Sequence, residues 1–370
     1  MKKPMLVIAL AAIATVLSGC GTTAVPSAQS SASGGEVPAA VADLVKTAGA
    51  SQPWQGPETS PLSKKNALVV SIPCSLASGC SRVDDGVHAA GKALGWQVKT
   101  IDPAFDPAKM NQAIQQAIDL HADAIVAWTV DPKLVASSVA AARAAGIVVV
   151  GGGNGQEDAP VTKDGFQHGV SLHGEIQGQW VAAQACSDLN AKGDVVIISD
   201  PSYDILTQRV EATKAYFAKN CPNITVKVEQ VSANDVGTVL QNKVSSIVQR
   251  TPELRGLITP VDLFTTDVNV ALQQLGNDNV KVYSIDGDAP SVENIAKGGR
   301  VAASVGSALE WAGWATMDNV NRLLQGKPAN SDDHVPNRMV TKSFIPDNFR
   351  YRGDLDYTAK YKKLWETGAL

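Results

Sequence analysis

The chain has 370 residues, 44% of them hydrophobic and 18% charged, with a formal net charge of −4. That length exceeds what one compact core usually holds, so two lobes or domains are expected. The mildly acidic balance argues against nucleic acid as a partner, which calls for clustered Lys and Arg.

In chain order, Lys2 and Lys3 supply a positive start and Met5 to Val16 form an apolar run. At about 12 residues this run is shorter than the roughly 20 that span a bilayer, and small residues then lead to a cysteine. Leu17-Ser18-Gly19-Cys20 resembles the lipobox of bacterial lipoproteins. That resemblance implies that residues 1–19 are a signal peptide and that Cys20 is diacylated as the first mature residue. Everything downstream would then lie outside the cytoplasm, lipid-anchored to a bacterial membrane. An ordinary cleaved signal with an incidental cysteine is the alternative. Losing two lysines and no acid moves the net charge to −6. Residues 21–36 are mostly Ser, Thr, Ala, Gly and Pro, too poor in apolar surface to fold. Residues 20–65 read as a lipidated flexible stalk, with a short amphipathic helix over Val37 to Ala48 and a turn-rich connector at Pro53 to Pro57.

From Ala67 onward apolar strand patterns alternate with helical spacing. Strands are expected at Ala67–Ile72, Trp96–Ile101, Ala124–Trp128 and Ile147–Val150, with helices between them carrying Val83, Val87 and Leu94, then Met110 and Ile114. After a polar, Gly-rich interval at 151–170 the pattern restarts with strands at Val195–Ser199, Ile224–Val231, Leu257–Thr259, Val280–Ile285 and Val301–Val305. A long helix near Leu309–Gln325 and a strand near Arg338–Phe344 follow. Repeated βαβ units require parallel sheets with right-handed crossovers. The fold class is α/β, with two doubly wound parallel-sheet (Rossmann-like) lobes. Residues 66–170 plus about 307–334 are assigned to the N-terminal lobe, and about 171–306 plus 335–370 to the C-terminal lobe and tail.

With Cys20 given to lipid, four cysteines remain, and pairing is the default in an oxidising compartment. Cys74 and Cys80, six positions apart, can close a short loop. Cys186 and Cys221 fall near expected helix C-termini and form either a second pair or two separate buried thiols. No Cys-x-x-Cys or His-rich spacing points to metal, and no cofactor motif is present. Gly151-Gly152-Gly153-Asn154-Gly155 follows the fourth strand rather than the first and opens no helix, so it reads as a flexible interlobe crossover and not a phosphate loop. There is no Ser-His-Asp ordering and no Gly-x-Ser-x-Gly elbow, and the chain is not expected to be an enzyme.

Ligands of doubly wound sheets sit beyond the strand C-termini. The loops there carry Trp128 beside Asp131, Tyr203 and Arg209, Asp262, and Asp286. Acids paired with Arg and aromatic planes suit a hydroxylated ligand. Each acid has a competing reading as a helix N-cap, strongest for Asp131 before Pro132 and weaker for Asp286 before Gly287.

Across roughly residues 64–345 the chain resembles the type I periplasmic sugar-binding proteins, the ribose-binding-like substrate-binding subunits of ABC importers. Asp85-Gly86, Ala144 to Val150, Tyr283-Ser284-Ile285-Asp286-Gly287 and Val301 to Gly306 carry the resemblance by their order and spacing. It implies two lobes joined by a three-segment hinge that close on a ligand, and a monomer that delivers its solute to an ABC permease. It places Asp286 at the ligand-hydroxyl carboxylate, Arg209 at a ligand-binding arginine and Asp262 beside an Asn-Asp pair whose Asn is here Val261. The departures are as informative. Cys74 to Cys80 replaces a loop with two stacking aromatics, Gly152-Gly153 replaces an Asp-Arg pair, and Asn234 stands at another aromatic's place. Trp128 and Trp311 are candidate replacement planes, with Trp311 alternatively core on the long helix, and Asn154 with Trp128 is the expected contribution of the first lobe. Two alternatives stay open: a sensor presenting the solute to a membrane signalling partner, and a binder of a non-sugar, aromatic or nucleoside-like, ligand.

Overall fold

The computed structural model describes residues 36–77, 79–155, 164–331, 333 and 335–370. The signal-peptide assignment, Cys20 and the stretch to residue 35 lie outside the described residues, as does His334.

The first described element is helix α1 (Ala39–Gly49). Strands and helices then alternate as β1 (Leu68–Pro73), α2 (Cys80–Leu94), β2 (Gln97–Thr100), α3 (Pro107–Asp119), β3 (Ala124–Trp128), α4 (Pro132–Ala144), β4 (Val148–Gly152) and β5 (His168–Val170). The strands form a parallel sheet in the order β2-β1-β3-β4-β5. Every position of β3 and β4 is buried, since helices cover both faces. Helices α3 and α4 start the same way: Asp106 and Asp131 accept hydrogen bonds from the first-turn amides, and a proline follows each.

The second lobe runs through α5 (Gly174–Asp188), β6 (Gly193–Ser199), α6 (Asp204–Asn220), β7 (Ile224–Gln230), α7 (Thr238–Arg250), β8 (Leu254–Thr259), α8 (Thr265–Gln274), β9 (Lys281–Asp286), α9 (Ala289–Ala296) and β10 (Val301–Ser307). The chain then crosses back as α10 (Leu309–Leu324), which packs on α2, β3 and β4 of the first lobe. It returns once more as β11 (Asn337–Val340), antiparallel to β10 at the edge of a sheet ordered β11-β10-β9-β8-β6-β7. Between β5 and β11 three crossovers join the lobes, the Leu172 segment, Ser307–Ala308 and the stretch before Asn337, and the chain passes between lobes again before β1 and before α11. A final helix, α11 (Tyr357–Thr367), closes the chain.

The backbones of α2 and α10 touch. A Cβ on Gly86 would sit 2.2 Å from the Glu310 carbonyl oxygen, and one on Gly313 would sit 2.5 Å from that of Val83. Glycine is required on both helices for that approach. It lets α10 bury along nearly its whole length, with Trp311, Ala312 and Met317 almost inaccessible.

Two expected boundaries are corrected. Residues 37–65 are not a stalk. Helix α1 docks on α5 and β11 of the second lobe, with Val41 and Ala48 fully buried. The next stretch lies on the first lobe: Trp54 stacks on Trp311 at 5.3 Å, Ser60 donates to Asp318, and the Lys64 amide donates to Asn321. Apolar side chains in this segment had to find a surface, and each lobe supplied one. The tail is the second correction. Helix α11 packs on α10 and α2, in the first lobe and not the second, and Trp365 stacks on Trp314 at 5.3 Å. Helix α5 escaped the sequence pattern because α1, α6 and the sheet enclose it, leaving no polar face to mark its period.

Both disulfides are present. Cys74–Cys80 closes the loop between β1 and α2, and Cys186–Cys221 ties α5 to the end of α6 across 35 residues.

Candidate ligand-binding site

Strands β1, β3 and β4 of one sheet and β6, β8 and β9 of the other end facing each other, and between them lies a cavity of about 70 Å³. The first lobe lines it with the Cys74–Cys80 bridge, Phe105, Trp128, Thr129 and Leu309. The second contributes Tyr203, Leu206, Arg209, Phe264 and Asp286. The lobes meet around it. Phe105 lies edge-on to Tyr203 at 6.3 Å, and Lys133 pairs with Asp204 at 3.2 Å on the exposed rim.

Asp286 ends β9 and is followed by Gly287. Both have positive φ, 112° and 69°, and a non-glycine residue there costs on the order of 1–3 kcal/mol. Two arginines hold the turn. Arg209 Nη2 donates to Asp286 Oδ1 at 3.0 Å, while its Nε donates to Gln177 and its Nη1 to the Pro260 carbonyl. Arg82, from α2 of the opposite lobe, donates to the Asp286 carbonyl at 3.1 Å and to Asp288 at 3.0 Å. Its other bonds go to Glu310 and to the carbonyls of Gly287, Ser307 and Tyr351. Burial works against the Arg82 charge, but Glu310 and Asp288 outweigh it and keep the guanidinium protonated. Burial likewise pushes the Asp286 carboxyl up, opposed by Arg209 and reinforced by Asp288. The Tyr203 phenol rises to about 12 through burial and the charge of Asp200.

Gln177 joins this site to the hinge. Its amide accepts from Arg209 and donates to Ser307 on the second crossover and Asn337 on the third. Asn337 in turn donates to the Leu172 carbonyl on the first. Two buried side chains, Gln177 and Asn337, thus connect the cavity's arginine to the three crossovers between β5 and β11.

The family model for the periplasmic binding protein domain matches residues 69–328. The chain belongs to the periplasmic binding protein family. Among curated proteins it is similar to the D-apiose import binding protein of Actinobacillus succinogenes, 24% identical over 226 residues, 60% of this chain and 69% of that one. Two solved ABC transporter solute-binding proteins share its fold. One, from Mycobacterium smegmatis with bound glycerol, has a TM-score of 0.69 at 23% identity, covering 77% of this chain and 99% of that one. The other, from Burkholderia graminis in complex with D-arabinose, has a TM-score of 0.69 at 21% identity, covering 77% and 98%. The type I architecture read from the sequence is the one observed, and the family is one of substrate-binding transport proteins.

Against that family frame the expected residues divide. Arg209, Asp286, Trp128 and Tyr203 line the cavity. Asp262 does not: it lies one layer behind, accepting from the Asp288 amide and from Ser291 and Thr265, so it braces the turn after β9. Burial, then Asp288, pushes its carboxyl up. Asp131 caps α4, accepting from the Lys133 amide, and does not line the cavity. Asn154 is buried beside the lining residue Gly153 but is not itself part of the wall. Trp311 belongs to the aromatic stack of Trp54 and Tyr357 in the core. Arg82 and Gln177 were not expected from sequence. The only local signal was a charged or amide side chain on a helix, which by itself reads as a solvated face.

The glycine that ends β4 also gains a physical reason. A Cβ on Gly152 would lie 2.1 Å from the Trp128 ring, so the indole rests on bare backbone. The space is filled by an aromatic plane, and no polar pair fits there.

Among the described residues no helix is long and apolar enough to cross a membrane, and no cluster of His, Cys, Asp or Glu could hold a metal ion.

Proposed function

We propose that this protein is a lipid-anchored extracytoplasmic receptor that captures a small sugar-like, hydroxyl-bearing solute between its lobes and delivers it to an ABC permease. The observation carrying this reading is the Arg209–Asp286 pair, buried at the strand ends of one lobe and facing the aromatic wall of the other. A charged donor and acceptor side by side can bind hydroxyls bidentately. Contacts from both lobes make affinity depend on closure, which is the property a permease can sense. The sugar-binding relatives support the solute class, and the Leu17-Ser18-Gly19-Cys20 segment supports the anchor.

A thermal-shift screen of the purified protein across pentoses, hexoses, polyols and deoxy sugars tests the binding role. Mass action stabilises the folded state by RT ln(1 + [L]/Kd), so millimolar ligand registers even at micromolar Kd. At least one compound should raise Tm by several degrees; no shift across the whole panel would remove the sugar class, and the binding role with it if the diols titrated below are silent too. For the anchor, radiolabelled palmitate should enter the full-length chain in cells and be lost in Cys20→Ala.

A further inference from the structure

Resting on the reading that the interlobe cavity is the solute site, its wall narrows the solute's chemistry. Hydrogen-bonding side chains are few and lie mostly on one side. Of the 18 described lining residues, only Thr129, Tyr203, Arg209 and Asp286 carry a hydroxyl, guanidinium or carboxylate, and the last three come from the second lobe, while the first adds Thr129 and the Trp128 indole N–H. Much of that capacity is already spent within the protein. Arg209 donates to Gln177, Pro260 and Asp286, and Asp286 uses Oδ1 for Arg209. What faces a ligand is Asp286 Oδ2, directed toward the lining residue Gly79, together with the remaining guanidinium hydrogens. Opposite stand a disulfide, Phe105, Leu309 and the Trp128 indole bedded on Gly152.

A fully hydroxylated sugar fits this wall poorly. Each hydroxyl buried without a partner costs about 1–3 kcal/mol. A pentose turning two or three hydroxyls toward the disulfide and aromatic side would lose most of what one charged pair supplies. Two adjacent hydroxyls on a single edge suit the wall. One donates to Asp286 Oδ2 and its neighbour accepts from Arg209, while a hydrocarbon remainder packs on Trp128, Phe105 and the Cys74–Cys80 bridge. We propose that the ligand is a small cyclic vicinal diol, hydroxylated along one edge and hydrocarbon elsewhere.

Calorimetric titration of the full chain with cis-1,2-cyclohexanediol, catechol, cyclohexanol and D-arabinose tests this. At least one of the two diols should bind tenfold or more tighter than D-arabinose, and cyclohexanol should bind more weakly than that diol because it forfeits one of the paired bonds. D-arabinose binding as tightly as both diols would overturn the inference and leave the receptor reading standing. Cyclohexanol matching the diols would overturn it too, by showing that the hydroxyl pair is not recognised. Absence of heat with all four compounds would also overturn it. The receptor reading would fall with it only if the sugar and polyol screen were silent as well.

Discussion

The two lobes meet the cavity with different chemistry. The first offers Trp128, Phe105 and a disulfide, largely apolar surfaces. The second offers a carboxylate and a guanidinium, and both depend on support from elsewhere. Arg209 is held by three acceptors, and the strained Asp286–Gly287 turn is held by Arg82 reaching over from the first lobe. The polar half therefore draws part of its support across the lobe boundary, through Arg82, whereas Arg209 is held within its own lobe. On the proposed reading, ligand affinity and lobe closure would share one set of hydrogen bonds.

The largest effect is expected where the two halves are joined. Arg82→Met would leave Glu310, Asp288 and four backbone carbonyls without their buried donor. Breaking a buried pair by removing one partner typically costs about 3–5 kcal/mol. Urea unfolding should show that loss, and small-angle scattering should show a larger radius of gyration as the lobes part. Unchanged values for both would mean that Arg82 is not the latch. Next is the polar half itself. Asp286→Ala should weaken the tightest compound of the screen by about 30-fold or more, the equivalent of roughly 2–5 kcal/mol. Retained affinity in a folded variant would remove Asp286 from the site.

The disulfides separate the halves further. Cys186→Ser/Cys221→Ser opens a 35-residue loop far from the cavity, and the chain-entropy relation puts the loss at about 4 kcal/mol. It should lower Tm with ligand affinity unchanged. Cys74→Ser/Cys80→Ser opens a loop with a sequence separation of 6, worth about 2 kcal/mol, yet it alters the cavity wall. Affinity should fall there although stability falls less. The reverse ordering in either property would undo the contrast between a structural and a site-forming bridge.

How legible this was from sequence follows the same division. Strand-end positions announce themselves, since an acid or aromatic directly after a buried apolar run has few places to go. Trp128, Asp286 and the Arg209 helix were visible for that reason, as was the pairing of two doubly wound sheets. Asp262 was visible too, but its role turned on a direction that sequence does not carry: its carboxylate faces the α9 side of the turn instead of the cavity. Arg82 and Gln177 were hidden because each satisfies groups far away in the chain, Arg82 on Tyr351 and Gln177 on Asn337. The N-terminal segment misled because its composition shifts gradually from Ser/Ala-rich to apolar. Docking of α1 on one lobe and Trp54 on the other depends on surfaces formed much later in the chain.

The smallest expected effect is the dependence of stability on pH, which isolates the buried acids behind the polar half. Asp262 and Asp286 both have carboxyl groups raised above the ordinary range, by burial first and by neighbouring acids. A group raised in the folded state keeps a proton that the unfolded chain releases. Its stabilising contribution is therefore full below the ordinary carboxylate range and is lost as pH rises through the folded value. Glu310 has the opposite displacement, because Arg82 outweighs its burial, and its contribution is lost only as pH falls below the ordinary range. Between pH 5 and pH 8 the raised acids should slope the curve, with Tm falling as pH increases. Asp262→Asn removes one proton-binding site while keeping an oxygen for the Ser291 hydroxyl, so its Tm should fall less over that interval, by an amount equivalent to about 1 kcal/mol. A variant whose Tm tracks the wild type from pH 5 to pH 8 would mean that Asp262 is ionised throughout. The three donors around it would then have overcome its burial, and the strain at Asp286 would rest on Arg82 and Arg209 alone.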